Sequence, residues 1–336
     1  MLIELILIGL GLALLMKGAD FLVDGSSKIA KKFNIPEIVI GLTIVAIGTS
    51  LPELVISAES AFKGLSDISI GNVVGSNIAN LFLIISLCAI IKPITIKKET
   101  KYIENLIVIL CTIVFYAIVD NDGVITTYEG IALLVMAILY ILYNIVMSKV
   151  GNKLESDEVS EIEKTKSNSE SKVQPLKNEK QKNSLIYCIF QIILGIVGLK
   201  FGGDFVVDNA VLIAEALGIS EKLISLTIVA FGTSLPELIT CISATKRGDS
   251  DLAVGNIIGS QIFNILLIIG FSATVTPILG VRNYLDEITI LLIGNIIFAI
   301  LPFIGQKDKV GRASGIAFVA FYVIYMLSLV NENLQI

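Results

Sequence analysis

The chain has 336 residues, of which 54% are hydrophobic and only 16% charged, and a mean hydropathy of +0.85. That composition excludes an ordinary soluble domain and fits a membrane protein that crosses the bilayer many times. A net charge of −5 with no histidine gives no basis for nucleic-acid binding and removes the commonest metal ligand and proton shuttle.

Ten apolar runs approach the ~20 residues that span a bilayer. The first, about 2–25, has the length of a signal-peptide core. Its counterpart near Ile192–Lys200 lies mid-chain, so both read as retained helices. The next runs fall at about 36–62, 68–91, 102–119 and 125–147. From Ser148 to Asn183 the chain turns polar, with eight lysines, seven acids and many Ser and Asn, and cannot bury a core. It reads as a solvated tether, part of which can be helical. Five further runs follow at about 184–207, 221–245, 251–275, 284–304 and 313–331. The four cysteines (Cys88, Cys111, Cys188, Cys241) sit in apolar segments at unrelated spacings, as buried small hydrophobes would.

The second half repeats the first. Leu42–Val55 returns almost letter for letter as Leu226–Ile239, and Asp20, Glu53, Asn72 and Ser76 recur 184 positions later as Asp204, Glu237, Asn256 and Ser260. Five apolar runs separate equivalent points, an odd number, so the second half must cross the membrane in the opposite sense. The expected fold is therefore all-α and polytopic: ten transmembrane helices in two inverted five-helix repeats, 1–147 and 184–336, joined by the 148–183 linker. The duplicated motifs occupy about 41–87 and 225–271.

Basic residues set the expected direction. With the N-terminus outside, the cytoplasmic loops and linker carry 20 of the 25 Lys and Arg, among them Lys28, Lys31, Lys92, Lys97, Lys246, Arg247, Lys309 and Arg312. The opposite loops hold only Lys63, Lys222 and Arg282. This is the positive-inside bias of a cell-membrane protein, and it places both termini outside and the linker in the cytoplasm.

Each motif puts a glutamate, Glu53 or Glu237, at membrane depth, where a carboxylate is costly and rarely idle. Pro52 and Pro236 each remove one backbone hydrogen bond, and the carbonyls four residues earlier belong to Gly48 and Gly232. The helices should open there and expose carbonyls around Ala46–Thr49 and Ala230–Thr233, tolerable in a bilayer only beside an ion or cavity water. Thr49 and Ser50 share a helix face with Glu53, as Thr233 and Ser234 do with Glu237. Carboxylates, carbonyls and hydroxyls are what hard cations such as Na⁺ and Ca²⁺ require. A second stripe, Asn72, Ser76 and Asn80, returns as Asn256, Ser260 and Asn264 at four-residue spacing. Alone it would read as helix-packing glue. Beside the glutamate bend it reads as ion-site lining. Two facing carboxylates need neutralising, by one divalent ion, several monovalent ions or protons.

These paired Gly-Thr-Ser-Leu-Pro-Glu and Gly-Asn-x-x-Gly-Ser elements resemble the two α-repeats of the cation/Ca²⁺ exchanger superfamily, and specifically its prokaryotic Na⁺/Ca²⁺ exchangers. The resemblance covers essentially the whole chain. It implies antiport of Ca²⁺ against several Na⁺ by sliding one helix pair across a rigid core, with the bilayer as surroundings and no cofactor. Carried over by position, it implies that Glu53 and Glu237 hold Ca²⁺ with the carbonyls of Thr49 and Thr233. Flanking Na⁺ sites would use the Ala46 carbonyl with Ser50 and Ser76, and the Ala230 carbonyl with Ser234 and Ser260. Asn80 and Asn264 would lie near the centre. Some relatives carry aspartate where Asn264 stands, and the amide here argues against K⁺ co-transport.

Three other readings are weighed against this. A Ca²⁺/H⁺ antiporter on the same scaffold remains open, because glutamates carry protons. A passive cation channel would use the same acids merely to pair helices. An intramembrane serine protease lacks the base its nucleophile needs, since there is no histidine. The chain is not expected to be an enzyme.

Overall fold

The structure, a computed structural model, describes residues 2–33, 35–97, 100–166, 185–216, 230–304 and 308–334. Helices account for nearly all of them. Eight are long and apolar enough to cross a membrane: α1 (Leu2–Phe33), α4 (Ser66–Ile91), α5 (Thr100–Asp122), α6 (Thr127–Lys166), α7 (Leu185–Ala216), α10 (Ser250–Val275), α11 (Val281–Phe303) and α12 (Arg312–Leu334). A ninth candidate is the bent pair α2 (Ile38–Thr49) and α3 (Leu51–Phe62), which meet at 45°. The expected span at 221–245 begins outside the described residues. Its described part is a short helix α8 (Ala230–Thr233) followed by α9 (Leu235–Arg247).

Several boundaries move for physical reasons. α1 runs on to Phe33 rather than stopping near 25, because nothing breaks it before Pro36 and Lys31 and Lys32 complement its C-terminal dipole. α6 continues through 147 to Lys166, 40 residues and so ~60 Å, about twice the hydrocarbon thickness. The first part of the polar linker is therefore helical, while 167–183 lie outside the described residues. α9 ends at Gly248, whose φ of 90° lets its N–H cap the Ala244 and Thr245 carbonyls.

The interior is built on the helices that carry the motifs. Along its apolar stretch α10 is 94% buried and α4 72%, whereas the other six long helices are 17–39% buried. α2 lies against α10, and α3 against α4. The outer helices turn Ile131, Val135, Ile138, Leu142, Ile193, Ile293 and Ile324 outward, an apolar belt suited to lipid.

α1 and α7 form the most extensive helix pair. Gly11, Gly18 and Gly25 recur at seven-residue steps, and so do Cys188, Gly195 and Gly202 on the partner. A Cβ on Gly18 would lie 2.7 Å from the Leu199 backbone nitrogen, and one on Gly195 would lie 2.6 Å from that of Leu22. Backbone meets backbone along the whole seam. Polar ties fasten this pair to α9: Asp20 pairs with Arg247 at 2.8 Å and accepts from Ser243 at 2.9 Å. Ser27 donates to Asp249, the residue that precedes α10, at 3.2 Å. Asp24 binds Lys28 at 2.5 Å and accepts from Gln191 of α7 at 2.9 Å.

Two small antiparallel sheets join the halves. β1 (Ile94–Thr95) pairs with β4 (Lys309–Val310), and β2 (Val124–Ile125) with β3 (Ile278–Leu279). The equivalents β1 and β3, 184 positions apart, sit in different sheets. The buried Lys101 braces the first sheet by pairing with Asp308 at 2.8 Å over the Phe303 ring. Arg282 braces the second by donating to the Asp120 carbonyl at 3.0 Å.

The seam and the ion pair should respond differently to substitution. Gly195→Val forces backbone apart and should cost at least ~1–3 kcal/mol, read as a lower thermal midpoint of the detergent-solubilised protein. Arg247→Gln breaks a half-exposed pair and should change the same midpoint by less than ~1 kcal/mol.

Candidate ion-binding site

The motif helices break where the sequence places proline, but more gently than expected. Ser50 (φ −83°, ψ 10°) and Ser234 (φ −85°, ψ 3°) leave the helical region, and α3 and α9 restart one residue later with proline in their first turn. The Ala46 carbonyl, expected to be freed, accepts the Ser50 N–H at 3.0 Å and lies 3.3 Å from Thr49 Oγ1. The reason is position: the proline sits in the first turn after the break, where its missing N–H costs little. Two expected features are nevertheless present, a bend and a polar cluster around it.

Glu53 and Glu237 are both fully buried, as are Thr49, Ser76, Ser260 and Asn264. Ser50, Asn80, Thr233 and Ser234 are at most 3% exposed. Ala46 is buried on α2, and Ala230 opens α8. Each glutamate is contacted by a serine from its own half and one from the other. Glu53 Oε1 accepts from Ser76 and from Ser234, both at 3.5 Å. Glu237 Oε1 accepts from Ser50 at 2.9 Å and from Ser260 at 3.5 Å. Ser50 and Ser260 lie 3.0 Å apart, and Ser76 and Thr233 3.5 Å apart. The structure thus brings the two bends and the two stripes into one cluster.

The second oxygen of each glutamate, Oε2, is buried without a hydrogen-bond partner. Among the described ion pairs, none involves Glu53 or Glu237. An uncompensated buried carboxylate costs several kcal/mol, so two in one cluster call for a cation or protons. Among the described residues no three His, Cys, Asp or Glu side chains group together. The donor set is therefore two carboxylates surrounded by hydroxyls and amides, the oxygen-rich kind that hard cations favour.

The stripe residues Asn72 and Asn256, together with side chains beyond the expected set, complete the architecture. Thr49 donates to Asn256 Oδ1 at 3.0 Å, and Thr233 to Asn72 Oδ1 at 3.2 Å, so the halves exchange a threonine–asparagine bond in both directions. Asn72 is held in turn by Ser57 Oγ at 2.9 Å and the Glu53 carbonyl at 3.2 Å. At the equivalent place Asn256 donates to Cys241 Sγ at 3.2 Å, so Cys241 is a hydrogen-bonding partner and not only a small hydrophobe. Asn77 and Gln261, next to the stripe serines, are also buried in the cluster. Only their place inside the duplicated motif marked them in the sequence. Both inner helices widen beside the cluster, α4 into a π-type turn over Ala79–Ile84 and α10 over Asn264–Ile269. Such turns are frequent at functional sites.

Comparison with known proteins shows the family. The family described as "Sodium/calcium exchanger protein" matches residues 3–146 and 187–331. The sodium/calcium exchanger MaX1 of Methanosarcina acetivorans is 33% identical, over 97% of this chain and 98% of its own length. An uncharacterized membrane protein of Methanocaldococcus jannaschii is 37% identical, over 95% of this chain and 96% of its own. A solved structure of the sodium-calcium exchanger NCX_Mj, soaked with Na⁺ and Ca²⁺, superposes with a TM-score of 0.79 at 34% identity, covering 97% of this chain and 98% of that one. The chain belongs to the sodium/calcium exchanger protein family, within the cation/Ca²⁺ exchanger superfamily, and is a multi-pass membrane transporter.

Proposed function

We propose that this protein exchanges Na⁺ for Ca²⁺ across the cell membrane by alternating access, with Glu53 and Glu237 together forming one midplane site that binds either one Ca²⁺ or several Na⁺. The observation that carries the reading is the pair of buried glutamates, cross-held by serines of opposite halves and, among the described ion pairs, without a basic partner. Thr49, Ser50, Ser76, Asn80 and the Ala46 carbonyl supply oxygens from one half. Thr233, Ser234, Ser260, Asn264 and the Ala230 carbonyl supply them from the other.

The charge balance gives the coupling. With the site empty, two carboxylates repel at low dielectric and resist burial, so reorientation is favoured only when cations neutralise them. A loaded site moves and an empty one stays, which is exchange rather than leak. The α1–α7 pair, backbone-packed within itself and fastened to α9 by side chains, is suited to slide as one body over the α4–α10 core. The two repeats cross in opposite senses, with both termini outside and the linker in the cytoplasm. The odd number of apolar runs between the duplicated motifs, the basic loops and the separation of β1 from β3 into different sheets support that topology.

Two measurements in proteoliposomes test the reading. Glu53→Gln together with Glu237→Gln should abolish Na⁺-driven Ca²⁺ uptake while leaving the protein folded; persistent uptake would refute the carboxylate site. At clamped pH, an outward Na⁺ gradient should drive Ca²⁺ uptake. If only a pH gradient does so, the protein is a Ca²⁺/H⁺ antiporter, and if Ca²⁺ flux ignores Na⁺ on the opposite side it is a channel.

A further inference from the structure

The repeats match at every proposed ion-site residue but differ at a supporting amide: position 77 is asparagine and its equivalent 184 residues later is Gln261. Asn77 is fully buried, and its Nδ2 donates to the backbone carbonyl of Gln261 at 3.3 Å. Its Oδ1 accepts from Asn264 Nδ2 at 2.9 Å. Asn264 Oδ1 is buried with no partner.

The ends of an amide side chain are hard to distinguish by shape, so its orientation has to come from its neighbours. Here one neighbour is decisive. A backbone carbonyl only accepts, so the end of Asn77 facing Gln261 must be the NH₂ group. The oxygen of Asn77 then faces Asn264, and it too only accepts. Asn264 must therefore present its own NH₂ to Asn77, which leaves its oxygen as the free group. The chain from the Gln261 carbonyl through Asn77 to Asn264 fixes one orientation without ambiguity.

The equivalent relay to Asn80 is missing. Asn80 is 1% exposed, and neither its Oδ1 nor its Nδ2 has a hydrogen-bond partner. Gln261, one methylene longer than Asn77, leaves its Oε1 without a partner and makes no bond to Asn80. The two central amides are thus unequal: Asn264 is oriented by a hydrogen bond, whereas no hydrogen bond orients Asn80.

We propose that Asn77 is a positioning residue for ion binding, which locks the Asn264 carboxamide with its oxygen turned toward the transported cation. The proposal rests on the exchange reading above and adds a residue that touches no ion itself. An amide held this way presents a fixed oxygen, whereas a free amide must give up rotational freedom and can present NH₂ to a cation. Several Na⁺ ions need more oxygen positions than one Ca²⁺, so loss of the relay acts first on Na⁺.

The test measures Na⁺-dependent Ca²⁺ uptake by the full chain in proteoliposomes, for wild type, Asn77→Ala, Asn264→Ala and the double variant. Asn77→Ala should raise the half-saturating Na⁺ concentration roughly five- to tenfold, the scale of one hydrogen bond, and shift the half-saturating Ca²⁺ concentration less. On the Asn264→Ala background the same substitution should change Na⁺ half-saturation less than twofold, because Asn77 acts only through Asn264. Residues in contact can also couple through packing alone, so the bias toward Na⁺ is the second readout: equal shifts of the Na⁺ and Ca²⁺ half-saturations would mark a packing role and overturn the relay. Asn77→Ser keeps a small polar group, cannot reach Asn264, and makes the same comparison should the alanine variant not fold. Wild-type Na⁺ half-saturation in Asn77→Ala and Asn77→Ser, or additivity in the cycle, would overturn the relay while leaving exchange intact. Absence of Na⁺-driven uptake in the wild type would instead remove the exchange reading, and the relay with it.

Discussion

Two negative side chains share an interior cluster in which, among the described ion pairs, no basic residue meets them. Glu53 and Glu237 are buried, each keeps an oxygen without a hydrogen-bond partner, and the basic residues of the described ion pairs lie elsewhere. Hydroxyl donors reduce the cost of such an arrangement but do not cancel its charge. The rest of the structure can be understood as the framework that keeps this charge in place. The most buried helices, α4 and α10, carry the serine and asparagine stripes, and the bent segments bring the acids against them. The outer helices supply the apolar surface that seals the cluster from lipid.

The site belongs to neither half alone. Ser234 reaches Glu53 while Ser50 reaches Glu237, and the threonine of each bend donates to an asparagine of the opposite stripe. Because every such bond crosses between halves, displacement of one half relative to the other changes both glutamates together. Departures from symmetry are confined to the supports. Ser57 is answered by Cys241, and Asn77 by Gln261, so the proposed ion ligands recur while their anchors differ.

Much of this was legible in the sequence. The glutamates declared themselves through their cost at membrane depth and their repetition, and the hydroxyl and amide stripes through four-residue spacing beside them. What the sequence could not give depends on partners distant along the chain. Asn77 and Gln261 are ordinary amides until tertiary structure brings a carbonyl to one and not the other. Cys241 looked like an apolar residue because its hydrogen bond comes from a helix 15 positions on. A proline inside one continuous helix would free the Ala46 carbonyl, whereas here the break falls at Ser50 and a new helix begins with that proline in its first turn. The helical start of the polar linker carried no apolar periodicity to announce it.

The contact between α1 and α7 has a consequence for how such a chain can vary. Side chains can repack around a changed neighbour, but two backbones pressed together at every seventh residue cannot. One residue inserted between Gly11 and Gly25 would rotate everything beyond it by ~100° and swing later glycines off the shared face. Length variation is therefore excluded from the middle of both helices. Relatives that differ freely in size should place their insertions in the polar connection between the halves or at the ends of the chain.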